Sequence, residues 1–156
     1  VLPVAKKRSD VVPVRSVPGA IEGEELKIVE KTGGETQVQA SETFDWSGNS
    51  QLWWIDSKPG DRLVLEVSVK EAGRYKVTAD LTKAVDYGIV RMKIAGQDAK
   101  EIDRYHTSVA NDALDLGIFD LKKGANRLEV EIVGANEKAI KRHMFGLDYL
   151  KLEKAE

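Results

Sequence analysis

The sequence predicts an all-β fold, an antiparallel sandwich or barrel, on three observations. Short runs alternate strictly between apolar and polar residues, as half-buried strands do. Turn-forming clusters punctuate them at regular spacing: Thr32-Gly33-Gly34, Lys58-Pro59-Gly60-Asp61, Glu71-Ala72-Gly73, Ala95-Gly96-Gln97-Asp98 and Lys122-Lys123-Gly124-Ala125-Asn126. Helix signals are thin. Only Ala135 to Met144 lacks Gly and Pro and carries good helix formers, and it reads either as one turn of helix or as a long ordered loop.

Taken in order, the chain opens with a different composition. Pro3, Pro13 and Pro18 all fall within residues 1–19, a stretch without sustained period. Prolines favour extended backbone, so residues 1–19 read as a linker or arm and 20–156 as the domain. The basic Ala5-Lys6-Lys7-Arg8 within the arm reads as solvated charge. Strands are then expected at Ile21–Glu24, Gln51–Ile55, Leu63–Val69, Tyr75–Leu81, Val90–Ile94, Leu128–Ile132 and Gly146–Leu150. In all, about nine or ten strands fit the spacing of a sandwich or barrel.

Composition narrows the function. The chain has 156 residues, enough for one domain with its own core. Hydrophobic residues make up 42% and charged residues 32%, a globular balance. The formal charge of −2 argues against nucleic acid as a partner, which needs a cationic excess. There is no cysteine, so disulfides, thiolate nucleophiles and zinc-thiolate sites are excluded. No run approaches the ~18 apolar residues of a membrane span. The chain starts at Val1 without a hydrophobic leader, which reads as a piece cut from something longer.

Catalytic signatures such as G-x-S-x-G, H-E-x-x-H or a phosphate-binding loop are missing. His106 and His143 are far apart in sequence and each reads as an ordinary hydrogen-bonded histidine. The aromatics are more informative. Trp46, Trp53 and Trp54 lie within nine positions. Neighbours in a strand face opposite sides, so one of Trp53 and Trp54 can enter the core while the other stands on the far face. Tyr87 follows Asp86 at the start of one strand, and Tyr105-His106 closes another. A flat ring beside Asp, Asn, Arg or His suits a sugar: ring CH groups pack on the aromatic face and polar groups fix the hydroxyls. Candidate ligand residues are therefore Trp46, Trp53, Trp54, Asp86, Tyr87, Tyr105, His106 and Asn111; the competing reading of each tryptophan is core packing. Glu22 and Glu24 share a face of the first expected strand, and Asp148 has the inward parity of Leu150 and Leu152. A buried carboxylate needs a partner. Calcium, which takes six to eight oxygens, is one; loop amides or a basic side chain are the other.

These stretches together resemble a known pattern: AIEGEEL, then WSGNSQLWW, KPGDRLVLEVSVKEAGRYKVTADLTKA, VRMKIAGQ, LGIFDLKKGANRLEVEIVGAN and FGLDYLKLE. The likeness, over about residues 20 to 153, is to β-jelly-roll carbohydrate-binding modules of families six and thirty-five, within the galactose-binding-like superfamily. TKAVDYGIVRMKIAGQ and HMFGLDYLKL are similar to an accessory module of large exported bacterial proteins. The resemblance implies a non-catalytic glycan-binding module outside the cytoplasm, extracellular or periplasmic, beside other domains of a parent protein. It also implies a structural calcium at Glu22, Glu24 and Asp148. The alternatives are a sandwich that packs against a neighbouring domain and a glycoside hydrolase built on two carboxylates.

Overall fold

The computed structural model describes residues 17–41 and 43–155; the expected arm lies almost wholly outside them. The described residues form eleven strands: β1 (Ala20–Glu22), β2 (Lys27–Lys31), β3 (Glu35–Ala40), β4 (Ser50–Ile55), β5 (Arg62–Val69), β6 (Gly73–Lys83), β7 (Ile89–Ile94), β8 (Gln97–Asp103), β9 (Ala110–Leu121), β10 (Gly124–Gly134) and β11 (Phe145–Lys154). One sheet runs β3-β4-β11-β6-β9 with β1 also on β11; the other runs β2-β5-β10-β7-β8. Every pairing between named strands is antiparallel. Of the sandwich and the barrel that the alternation allows, this is the two-sheet antiparallel sandwich, as the resemblance implies.

The core lies between the sheets. Leu63, Leu65 and Val67 of β5, Leu128, Val130 and Ile132 of β10, and Val90 and Met92 of β7 project from one side. Trp54, Val77, Leu81, Phe145, Leu147 and Leu150 meet them from the other. Each large apolar side chain so buried contributes about 1.5–3 kcal/mol of transfer free energy. The turns obey their residues. Ala95 and Gly96 both have positive φ, 50° and 78°, in the two-residue loop that joins β7 to β8. That backbone matches the right-handed twist of the flanking strands.

The outward face of the β2-β5-β10-β7-β8 sheet is a lattice of ion pairs. Arg62, Glu131, Arg91 and Glu101 stand in register across four strands. Arg91 pairs with Glu101 at 3.0 Å and Glu131 at 3.6 Å, and Arg62 with Glu30 at 3.3 Å and Glu129 at 3.7 Å. None of these five strands contains an aromatic residue. The strands of that face offer no ring for stacking.

On the β3-β4-β11-β6-β9 sheet, β11 organises two features. Its first half pairs with β4 and its second half with β1, so β4 and β1 meet end to end along one side of it. The register against β6 slips between Leu147 and Tyr149, a bulge that leaves Asp148 beside the junction. Two sequence expectations change here, and one left open is decided. Glu24 is not on a strand with Glu22: the chain leaves β1 into a 3₁₀ turn over Gly23–Glu25. Gly23 permits this by close packing, since a Cβ there would meet the Leu147 carbonyl oxygen at 2.3 Å. Residues 135–144 form the ordered loop, one of the two readings open for them. Their backbone is held from outside, with Ile140 N–H donating to the Val85 carbonyl and Met144 N–H to that of Asp86, while Lys141 Nζ donates to the Asn136, Glu137 and Ala139 carbonyls. Tyr87 and Tyr105 lie outside named strands, in isolated bridges to Met144 and Ala84.

Candidate functional site

Strand parity separates Trp53 from Trp54 as expected. Trp54 is fully buried between the sheets, its Nε1 donating to the Gly33 carbonyl at 3.0 Å. It is a core residue and cannot be a stacking platform; the ligand expectation for it is corrected by burial. Trp53 turns to the opposite face, where it packs with Ile55 against a second small apolar cluster of Ala84, Tyr87 and Met144.

Over that face four connections converge: the β3–β4 loop, the β6–β7 loop, the β8–β9 loop and the β10–β11 loop. They enclose a cleft of about 130 Å³ lined by Trp53, Tyr87, Asp86, Phe44, Val109 and Gln39, with Trp46, Ala84 and Met144 closing it. A second hollow of about 310 Å³ adjoins it, sharing Phe44 and Val109 and adding Thr43, Asp45, Ala110 and Asn111. Val109 is 42% exposed, so the shared rim is accessible. Trp46 is only 1% exposed and its ring lies 5.0 Å from that of Phe44. It backs the cleft rather than offering a face, which corrects the stacking role expected of it; the ring beside it in the lining is that of Phe44.

Beneath the cleft runs a buried chain of hydrogen bonds. Trp46 Nε1 donates to Thr82 Oγ1 at 3.0 Å, Thr82 Oγ1 donates to Gln51 Oε1 at 2.5 Å, and Gln51 Nε2 donates to Gln39 Oε1 at 2.9 Å and to the Tyr87 hydroxyl at 3.2 Å. Gln51 and Thr82 belong to strands separated by β11, and Gly146 of β11 makes the crossing possible. A Cβ at Gly146 would fall within 2.3–2.7 Å of the Gln51 side chain. Burial, with the nearby Asp86 charge adding to it, leaves the Tyr87 phenol well above its ordinary range against the pull of the Gln51 bond, so it stays protonated.

The other expected residues fall around this centre. Asn111 Nδ2 donates to Asp80 Oδ1 at 2.7 Å and to the Asp45 carbonyl at 3.1 Å, so it anchors the β3–β4 loop at the second hollow. Tyr105 and His106 line neither hollow. His106 Nδ1 sits 2.8 Å from the Ser108 carbonyl and the His106 backbone N–H donates to the Ala84 carbonyl, which shapes the loop that presents Val109.

The acidic residues gather elsewhere, at the β4–β1 junction. Ser47 N–H donates to both Asp148 oxygens at 2.9 and 3.0 Å, and Ser47 Oγ donates to Glu22 Oε2 at 2.6 Å. Ser50 Oγ donates to Glu24 Oε2 at 2.6 Å. Glu22 Oε1 and Glu24 Oε1 are buried and have no hydrogen-bond partner. Desolvation, with the Glu22 charge adding to it, raises the Glu24 carboxyl above its ordinary value against the pull of Ser50. Among the described residues no three His, Asp or Glu side chains converge as a metal cage.

Sequence reasoning missed Phe44, Val109 and Met144 because loops bring them in, and loops carry no period; it missed Gln39 because the edge strand β3 has little apolar–polar contrast. It also missed Gln51, which it read only as a strand position, and Thr82, which lies just beyond the expected strand Tyr75–Leu81.

No protein-family model matches the sequence, and no curated protein matches it. Solved structures do. The chain superposes on a xanthan lyase from Paenibacillus with a TM-score of 0.77 at 20% identity, over 92% of this chain and 14% of that one. It superposes on a family 35 carbohydrate binding module from Clostridium thermocellum with a TM-score of 0.54 at 14% identity, over 90% of this chain and 100% of the module. It also matches the CBM36-1 domain of a multidomain xylanase from the hindgut metagenome of Trinervitermes trinervoides, at a TM-score of 0.57 and 15% identity, over 88% and 97%. The chain thus spans a small part of the lyase and nearly the whole of each binding module. Identities this low speak for architecture alone, and the architecture is the jelly-roll β-sandwich of carbohydrate-binding modules.

Proposed function

We propose that the chain is a non-catalytic glycan-binding module whose ligand occupies the cleft of Phe44, Trp53 and Tyr87 and the adjoining hollow. The observation that carries this reading is an aromatic-walled cleft with a polar floor, on a sandwich whose neighbours in fold are carbohydrate-binding modules. Aromatic walls pack on sugar CH groups, and Asp86, Gln39 and Asn111 are placed to meet hydroxyls. The cleft itself is lined by one carboxylate, Asp86, and the adjoining hollow adds Asp45. In its natural setting the module holds a larger exported protein near its glycan, converting weak contact into effective concentration.

Calcium belongs to this reading as a structural ion. Glu22 and Glu24, each with one buried oxygen lacking a partner, fit a hard cation, and Asp148 orders the Ser47 backbone between them. Bound calcium would supply the positive charge that offsets their desolvation.

Titration of neutral oligosaccharides tests the function. A shallow aromatic site gives roughly millimolar to micromolar affinity, about −4 to −8 kcal/mol. Phe44→Ala and Trp53→Ala should each weaken it tenfold or more. Undiminished binding in both variants removes the cleft from the mechanism. If no glycan binds, and Trp53 fluorescence is shielded from quencher only within the parent protein, the surface is instead a domain interface.

A further inference from the structure

The hydrogen-bond chain under the cleft has a direction, and the direction selects a ligand group. An indole N–H can only donate, so Trp46 makes Thr82 Oγ1 an acceptor on that side. The hydroxyl proton is then available to Gln51. The 2.5 Å separation is an O–H···O length, shorter than N–H···O bonds run, which sets the Gln51 oxygen toward Thr82 and its amide nitrogen the other way. That nitrogen donates to Gln39 Oε1 and to the Tyr87 oxygen. Two consequences reach the cleft surface. Gln39, with its oxygen engaged, has its own N–H₂ without a partner among the described residues. Tyr87, whose oxygen already accepts from Gln51, has its phenolic proton left to give. The floor therefore presents two donors. The walls are the apolar faces of Phe44, Trp53, Val109 and Met144, and Trp53 adds a buried indole N–H that has no hydrogen-bond partner. Asp86 alone adds an acceptor at the lining.

A sugar hydroxyl fits here only where it also reaches Asp86 to place its own proton. A carboxylate has the lone pairs but meets the Asp86 charge. A carbonyl has two lone pairs, no proton and no charge. The cleft volume of about 130 Å³ lies below the roughly 300–1,000 Å³ of pockets that enclose drug-sized ligands, so it takes a substituent rather than a whole saccharide. The adjoining hollow, with Asn111 and Asp45, has room for the ring that carries it.

Resting on the glycan-binding reading, we infer that the cleft recognises an acetyl group on the glycan, its carbonyl on Gln39 and Tyr87 and its methyl against Phe44, Val109 and Met144. Both N-acetyl and O-acetyl sugars carry this chemistry. An N-acetyl group adds an N–H that Asp86 can accept.

The test compares matched ligands by calorimetry on the full chain: the trimer of N-acetylglucosamine against cellotriose and the glucosamine trimer, and acetylated xylan oligosaccharides against the same material saponified. The expected result is tighter binding, by tenfold or more, of the acetylated member in at least one set; the set that responds names the source. Tyr87→Phe, with its melting temperature measured to verify folding, should reduce that preference at least fivefold. Acetylated and unacetylated ligands binding within twofold of each other overturn the inference and leave the glycan-binding reading standing. A preference untouched in Tyr87→Phe overturns the donor assignment. Failure of every saccharide to bind overturns both readings.

Discussion

Gly146→Ala is the substitution whose effect follows most directly from the packing. The backbone at Gly146 is outside the left-handed region, so a side chain there meets no conformational strain. The obstacle is Gln51, whose Oε1, Nε2 and Cδ would lie 2.3, 2.6 and 2.7 Å from the new methyl carbon. Gln51 must withdraw, and its bonds to Thr82, Gln39 and Tyr87 go with it. Three such bonds at about 1 kcal/mol each set the loss, with larger costs where a buried group is left unsatisfied. Replacing glycine in a strand returns roughly 0.5–1 kcal/mol. The net destabilisation is then about 2–3 kcal/mol, which for a domain of this size lowers Tm by about 4–12 °C. Scanning calorimetry reads it directly. Gly134→Ala is the control, because a Cβ there meets nothing within 4 Å and its Tm should hold or rise slightly. Adding Gln51→Ala to Gly146→Ala should cost no more than Gln51→Ala alone, since the clash is gone. A Gly146→Ala protein as stable as wild type would refute the crossing of Gln51 over β11 and the donor pattern built on it.

Trp54→Ala should lose about 3–5 kcal/mol of stability by opening the core, whereas Trp53→Ala should lose far less and act on glycan affinity; paired denaturation and binding measurements separate them. Asp61 is pushed up by burial, but the Lys58 N–H and ammonium and the Thr32 hydroxyl together hold its carboxyl below 3.8. Its folded-state value being depressed, the stability it adds is present above pH 3.8 and lost as pH falls below it, so Asp61→Asn should cost stability at pH 7 and lose that deficit in acid melts. The raised Glu24 carboxyl has the opposite sign: its burden on the metal-free fold grows as pH rises through the carboxylate range. Glu24→Gln should therefore stabilise chelated protein at neutral pH while abolishing any rise in Tm with added calcium; an equal calcium response in the variant would remove Glu24 from the ion site.

The strands easiest to read were those with one face sealed. β5, β6, β7 and β10 alternate because their inward residues fill the core and their outward ones meet water or ion pairs. β3, with Glu35-Thr36-Gln37-Val38-Gln39-Ala40, and β8, with Gln97 to Asp103, lie at sheet edges and carry no such contrast. The bulge beside Asp148 changes parity within β11, so counting residues could bring Asp148 to the right corner but not show that Ser47 would meet it there. The Trp53–Trp54 pair carried half of the site in its parity. The other half, Phe44, Val109 and Met144, comes from loops whose positions depend on long-range contacts such as Met144 N–H to the Asp86 carbonyl.

The central claim is a location, and amide chemical-shift mapping during a glycan titration tests it. Residues Gln39, Phe44, Trp53, Asp86, Tyr87 and Val109 should shift together, with Asn111 following. Shifts confined to the charged outer face of β5, β10 and β7, or spread evenly over both sheets, would contradict the account.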